Sequence, residues 1–225
     1  MKPPGRSSGS SRRRSERPSC SRTRSISRSR RYELEIPFEK HLVDLSNDEA
    51  RAAFVRLWPI GKFPVLRDDA RDRTVPESTI ILEYIDGSSP AGARLLPTDP
   101  DLALECRQRE RLYDLYIHLP MQKIVGDRLR PEGKRDPFGV EQARAQMETA
   151  YALADEQLRG GPWAMGAEFT VVDCAALPAL FYGDKVAPLG ARWRNVAAYL
   201  ERLKGRPSVA RVLREAGPYF KDFPG

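Results

Sequence analysis

The sequence predicts a small α/β domain followed by an all-helical domain, spanning residues 32–225 behind a charged tail at residues 1–31. Three observations carry this reading. Strand-like and helix-like segments alternate over residues 39–85, a Gly/Ser/Pro-rich stretch follows at 87–100, and helical spacing alone continues from residue 101. The expected organisation is therefore a tail at 1–31, an α/β domain at 32–87, a linker at 88–100 and a helical domain at 101–225.

In the α/β part, Tyr32 to Phe38 suggests a helix end and a turn, and Glu-Lys-His-Leu-Val-Asp-Leu at 39–45 suggests a short strand. Asn47-Asp48-Glu49 offers side-chain oxygens to orphan first-turn amides, so a helix is expected over 50–57. Trp58-Pro59-Ile60-Gly61 ends it, because proline lacks the amide hydrogen and glycine favours a turn. Phe63-Pro64-Val65-Leu66 is apolar and strand-like, Asp68-Asp69 turns the chain, and Arg73-Thr74-Val75 is a second short strand. Pro76-Glu77-Ser78 then opens a helix with Ile80, Ile81, Tyr84 and Ile85 as its apolar residues. Strand, helix, strand, strand, helix is most of a thioredoxin-like domain, incomplete at its start.

Beyond the linker, a long helix is expected from Asp101 to about Leu119, interrupted by Pro120. Asp136-Pro137 starts another, with proline at the first helical position. Val140, Ala143, Met147, Ala150, Ala154 and Leu158 give it an apolar stripe at 3–4 spacing. Thr170-Val171-Val172-Asp173 has the form of a capping box. Further helices are expected from Trp193 to Leu203 and from Pro207.

Charge is unevenly distributed. The net charge of +7 hides a tail with ten Arg, one Lys and one Glu, so residues 32–225 carry 27 basic and 31 − 1 = 30 acidic side chains, a balance of −3. The tail also holds ten serines and almost nothing apolar, a composition that cannot offset its ordering entropy, so disorder is expected there. No aromatic residue interleaves its charges and no RNA-binding fold follows, which argues against a nucleic-acid partner. An Arg/Ser run also arises when a GC-rich alanine/leucine coding segment is read one nucleotide late. No stretch approaches the ~20 apolar residues of a membrane span, and no apolar segment follows the basic start as in a secretory signal. Three dispersed cysteines (Cys20, Cys106, Cys174) without a Cys-x-x-Cys pair point away from metal ribbons and dithiol chemistry. No metal is expected, and a reducing cytoplasm is the expected compartment.

The chemistry concentrates at two places. The residue before Pro64 is pushed to extended geometry, and a cis bond there would aim the backbone of Phe63 at an extended peptide. At Glu77-Ser78 a strand becomes a helix. First-turn amides, a serine hydroxyl and the positive helix end together suit a carboxylate, while Glu77 suits an amine. A small peptide with both groups would satisfy the whole set. Each motif alone is equally compatible with an ordinary turn proline and an ordinary helix start.

Gly61-Lys62-Phe63-Pro64-Val65-Leu66, Pro76-Glu77-Ser78-x-x-Ile81-x-x-Tyr84, Leu95-Leu96-Pro97-x-Asp99-Pro100 and Phe169-Thr170-Val171-Val172-Asp173 together resemble the glutathione S-transferase superfamily. The resemblance covers residues 32–225 and implies a thioredoxin-like domain followed by a helical domain. It implies that Phe63 pairs by its backbone with the cysteinyl part of glutathione, with Pro64 in cis. Glu77 and Ser78 would hold the γ-glutamyl amine and carboxylate, and Lys62 would lie near the glycyl end. It further implies glutathione as a co-substrate rather than a cofactor, a small electrophile as second substrate, and a homodimer.

One region departs from the family pattern. The family starts with a strand and a helix whose first residues include a thiol-activating Tyr, Ser or Cys, and here the Arg/Ser tail stands in their place. Ser21, beside Cys20, falls nearest the expected catalytic position. Tyr113 and Tyr116 are candidate walls for an electrophile pocket, although their i, i+3 spacing is more often that of interhelical core, and His118 lies beside them at a helix end. Two functions follow: conjugation of glutathione to electrophiles, or non-catalytic binding of glutathione or a partner.

Overall fold

The structure, a computed structural model, describes residues 38–88 and 94–224. The Arg/Ser segment and its expected disorder lie outside these residues, as does part of the expected linker. Asn47 caps α1 (Asp48–Leu57) by accepting the amide hydrogen of Ala50. Only Phe54 of this helix is buried, and its ring stacks on Phe63 at 4.2 Å. The chain turns at Gly61, whose φ of 68° favours glycine and whose N–H returns to the carbonyl of Trp58 at 2.9 Å. Strands β1 (Val65–Asp68) and β2 (Arg73–Pro76) pair antiparallel, with Val65 opposite Pro76 and Asp68 opposite Arg73. Helix α2 (Ser78–Gly87) covers the hairpin.

The expected strand at 39–45 does not form. Glu39, Lys40, His41 and Leu42 are exposed, and among the described residues the only sheet is the β1–β2 pair. A strand needs a neighbouring backbone to satisfy its amides and carbonyls, and among the described residues no strand pairs with this segment.

The helical domain comprises α3 (Pro100–Tyr113), a π-turn (Asp114–His118), α4 (Leu119–Arg128), α5 (Pro137–Gln157), α6 (Val171–Val186), α7 (Arg194–Gly205) and α8 (Pro207–Ala216). Pro120 was expected to interrupt the first helix; α3, the π-turn and α4 instead follow one another without a break. The N–H of Leu119 returns to the carbonyl of Asp114, one residue further back than in an α-helix. That wider turn accommodates the proline ring, which would otherwise clash with the preceding turn. The predicted stripe on α5 holds: Ala143, Met147, Ala150, Ala154 and Leu158 are buried, and Val140 packs partly buried beside them.

Two apolar clusters result. Val75, Ile81 and Ile85 form a small one with Leu66 and Tyr84 against the hairpin. Leu82, on the same helix α2, joins the large cluster of the helical domain. Helix α2 is therefore the apolar link between the two parts.

The large core is organised by Asp173, which is completely buried. The predicted capping box is present: the Thr170 hydroxyl caps α6, and the Asp173 carboxylate accepts the Thr170 N–H at 2.7 Å. The same carboxylate accepts the Ala164 N–H at 2.9 Å and the Tyr199 hydroxyl at 2.6 Å. One side chain thus ties the start of α6, the preceding loop and α7 together.

Removing this acceptor strands several buried donors at once, each at a cost of about 1–3 kcal/mol. Asp173→Ala is expected to lower unfolding free energy by at least about 3 kcal/mol, and Tyr199→Phe by about 1 kcal/mol. In a double-mutant cycle read by urea denaturation, adding Tyr199→Phe to Asp173→Ala should cost little more, because the shared bond is already gone.

Candidate functional site

The β1–β2 register brings the two candidate motifs together. Val65 faces Pro76, so Pro64 and Glu77 sit at the same end of the hairpin. The Phe63–Pro64 bond is cis. Lys62 is exposed immediately before it, and Phe63 is held partly buried by Phe54 of α1.

Across from them, Glu77 adopts φ 66° and ψ 125° at the N-cap of α2. A non-glycine residue with positive φ is uncommon, and such a conformation costs on the order of 1–3 kcal/mol unless its surroundings impose it. The Glu77 side chain is exposed and makes no cap hydrogen bond to the helix it precedes. Its carbonyl accepts the N–H of Ile81 at 2.9 Å, so the helix starts at Ser78. Ser78 thus stands at an N-terminus that its N-cap side chain does not cap, where amides and dipole favour an anion.

Several contacts fix this turn. Tyr84 donates its hydroxyl to Asp68 at 2.6 Å, tying α2 to the end of β1. That hydroxyl, together with Arg71, lowers the Asp68 carboxyl to about 2. Arg107 of α3 grips Glu83 of α2 through two bonds of 2.9 Å. Asp86 accepts the backbone N–H of Leu95 at 2.7 Å, anchoring the chain that leads into the helical domain. Nearest the site, the buried Thr79 hydroxyl donates to Glu110 Oε1 at 3.0 Å. Glu110 is only 3% exposed. Burial raises its carboxyl, opposed by Arg111 and by the Thr79 hydroxyl. Arg111 Nη1 lies 3.4 Å from Glu110 Oε2 and 3.6 Å from Asp114 Oδ2.

Of the remaining candidates, Ser21 lies outside the described residues. Tyr113 does not line a pocket. It is 1% exposed, its ring tilts against Tyr199 at 6.5 Å, and it belongs to the core beside Asp173. The i, i+3 pair is split because the π-turn begins just after Tyr113, which leaves Tyr116 half exposed. His118 is buried, with Nε2 3.0 Å from the Gln122 amide nitrogen. Thr79 and Glu110 went unnoticed in the sequence. The only signal was that Thr79 directly follows Ser78, whereas Glu110 sits in Arg107-Gln108-Arg109-Glu110-Arg111, which resembles a solvated helix face. Among the described residues no group of three or more acidic, His or Cys side chains is placed to hold a metal, and no helix is long and apolar enough to cross a membrane.

Two sequence profiles match the chain: the glutathione S-transferase N-terminal domain over residues 26–87 and the C-terminal domain over residues 137–202. A solved glutathione S-transferase from Methylobacterium radiotolerans, in complex with glutathione sulfonate, is 30% identical. It superposes with a TM-score of 0.71 over 85% of this chain and 90% of that one. The chain belongs to the glutathione S-transferase superfamily. Among curated relatives, GstB of Escherichia coli K12 is 26% identical over 189 residues, 80% of this chain and 88% of its own. A glutathione S-transferase of Pseudomonas putida is 28% identical over 186 residues, covering 80% and 81%. The architecture is accordingly a thioredoxin-like domain followed by the helical domain of this superfamily.

The positive φ at Glu77 has a direct test. Glycine tolerates φ above zero without a Cβ clash, and alanine does not. Glu77→Gly is expected to be more stable than Glu77→Ala by about 1 kcal/mol, measured by denaturant unfolding. Everywhere else on an exposed helix start, the order would be reversed or flat.

Proposed function

We propose that this superfamily member binds glutathione between Phe63-Pro64 and Glu77-Ser78 and conjugates its thiol to small electrophiles. The observation that carries this reading is the hairpin register, which sets Pro64 beside the uncapped α2 N-terminus, with Ser78 as its first residue. In this reading the γ-glutamyl carboxylate takes the Ser78 hydroxyl and first-turn amides, and Glu77 takes the amine. The Phe63 backbone pairs with the cysteinyl amide, and Lys62 lies toward the glycyl carboxylate. The glutathione sulfonate bound to the 30% identical relative supports the ligand class.

The chemical step is a nucleophilic displacement or addition. Glutathione's thiol loses its proton to water. The sulfur lone pair then forms an S–C bond at the electrophilic carbon, and a leaving group such as halide departs with its electron pair. A free thiol is mostly protonated at neutral pH, since its pKa is about 8.5. A hydroxyl hydrogen bond that lowers it by ~2 units stabilises the thiolate by roughly 2.7 kcal/mol. We assign that role to Ser21. The electrophile would lie against the helical domain, where Tyr116 is exposed. We further propose a cytoplasmic homodimer. The buried cysteines Cys106 and Cys174 fit a reducing compartment, and exposed Ile80 on α2 and Leu104 on α3 offer apolar surface for a second copy.

A non-catalytic binder is the second reading, favoured by the Arg/Ser composition of residues 22–31, which lacks the apolar stripe of a packed helix. Retention on immobilised glutathione and conjugation of a nitroaryl halide, followed by absorbance, separate the two. We expect elution by free glutathione together with turnover. Ser21→Ala should lower kcat/KM by at least about tenfold while leaving retention intact. Retention without turnover selects the binder, and folded protein that shows neither removes both readings.

A further inference from the structure

We infer that Glu110, on the helical domain, is a positioning residue for the first turn of α2, acting through the hydroxyl of Thr79. The inference rests on the glutathione reading for its consequence in binding, and on geometry alone for the positioning itself.

Thr79 is the second residue of α2 and follows Ser78 directly, so its orientation sets the orientation of the turn that presents Ser78. Both members of the pair are buried, Thr79 at 8% exposure and Glu110 at 3%. The 3.0 Å bond crosses between the two domains, joining residues 31 apart in the chain. A buried hydrogen bond loses little to competing water. Glu110 Oε2 makes no hydrogen bond among the described residues; Arg111 Nη1 lies 3.4 Å from it as an ion-pair neighbour, and the same Nη1 lies 3.4 Å from Thr79 Oγ1. The Thr79 hydroxyl therefore lies between the Glu110 carboxyl, to which it donates, and the Arg111 guanidinium, from which it accepts. The adjoining Glu77 is held at φ 66° and needs surroundings that over-determine it. Thr79 and Glu110 supply one such restraint next to it.

The pair Thr79→Val and Thr79→Ser, in the full chain, isolates the hydroxyl from the volume of the side chain, with Glu110→Ala as the reciprocal change. Two readouts apply: glutathione affinity by calorimetry, and amide hydrogen exchange of Ile81 and Leu82 by NMR. Thr79→Val and Glu110→Ala are expected to weaken glutathione binding about tenfold and to speed exchange at Ile81 and Leu82 by a similar factor. Thr79→Ser should restore both. If Glu110→Ala does not fold, the Val/Ser pair decides. Equal behaviour of Val and Ser in exchange overturns the inference. Altered exchange in a protein whose wild type binds no glutathione keeps the positioning role and sinks the glutathione reading.

Discussion

The structure depends first on one buried carboxylate. Asp173 is completely inaccessible and accepts bonds from Thr170, Ala164 and Tyr199. A charge in such a place is tolerated only when donors surround it, and here they come from three separate segments. The bonds therefore act as a joint as well as a cap. They set where α6 begins, and α6 is the apolar spine against which α3 and α5 pack. Gly183 shows how close that packing is, because a Cβ there would lie 2.6 Å from the Tyr151 hydroxyl oxygen.

From that joint a short path leads to the candidate site. Ala164, whose N–H goes to Asp173, offers its carbonyl to Arg109 of α3 at 2.5 Å. The next residue on α3 is Glu110, which takes the Thr79 hydroxyl. Two residues before Arg109, Arg107 takes Glu83. Helix α3 thus carries adjacent polar contacts in opposite directions, one into the helical core and one out to α2. The magnitudes are comparable. A hydrogen bond to a charged group contributes about 1.5–3 kcal/mol, and the unusual backbone at Glu77 costs on the order of 1–3 kcal/mol. The clamp on α2 is of the size required to hold it.

What the sequence disclosed follows from how local each signal is. The α5 stripe, the Asn47 cap and the Thr170 box depend on spacings within a single turn or two, and each appears where the residues put it. Phe63-Pro64 and Glu77-Ser78 come together because they are chain neighbours of the strands that align them. Two readings failed because they turned on a partner or a register. The segment at 39–45 has strand-like composition and, among the described residues, no strand to pair with. Pro120 breaks an ordinary helix but not one widened by a π-turn. The spacing of Tyr113 and Tyr116 favoured interhelical core, which holds for Tyr113, and that same turn separates it from Tyr116 by directing one inward and the other out. Glu110 was hidden among charged neighbours, because contact between residues 31 apart leaves no trace in composition.

These contacts also bear on which part of the chain constitutes the site. Among the described residues, the cluster proper to the hairpin side consists of Val75, Ile81 and Ile85 with Leu66 and Tyr84, and α1 adds the single buried Phe54. A two-stranded hairpin with so small a core is marginal by itself. It could not be expected to impose a strained φ on Glu77 and keep a helix start rigid beside it. Leu82 resolves this by belonging to the large cluster, and Thr79, Glu83 and Asp86 repeat the same connection with polar bonds along successive turns of α2. The residues that would touch the peptide all lie before residue 79, but the rigidity they need comes from beyond residue 94. The helical domain is in that sense part of the candidate site.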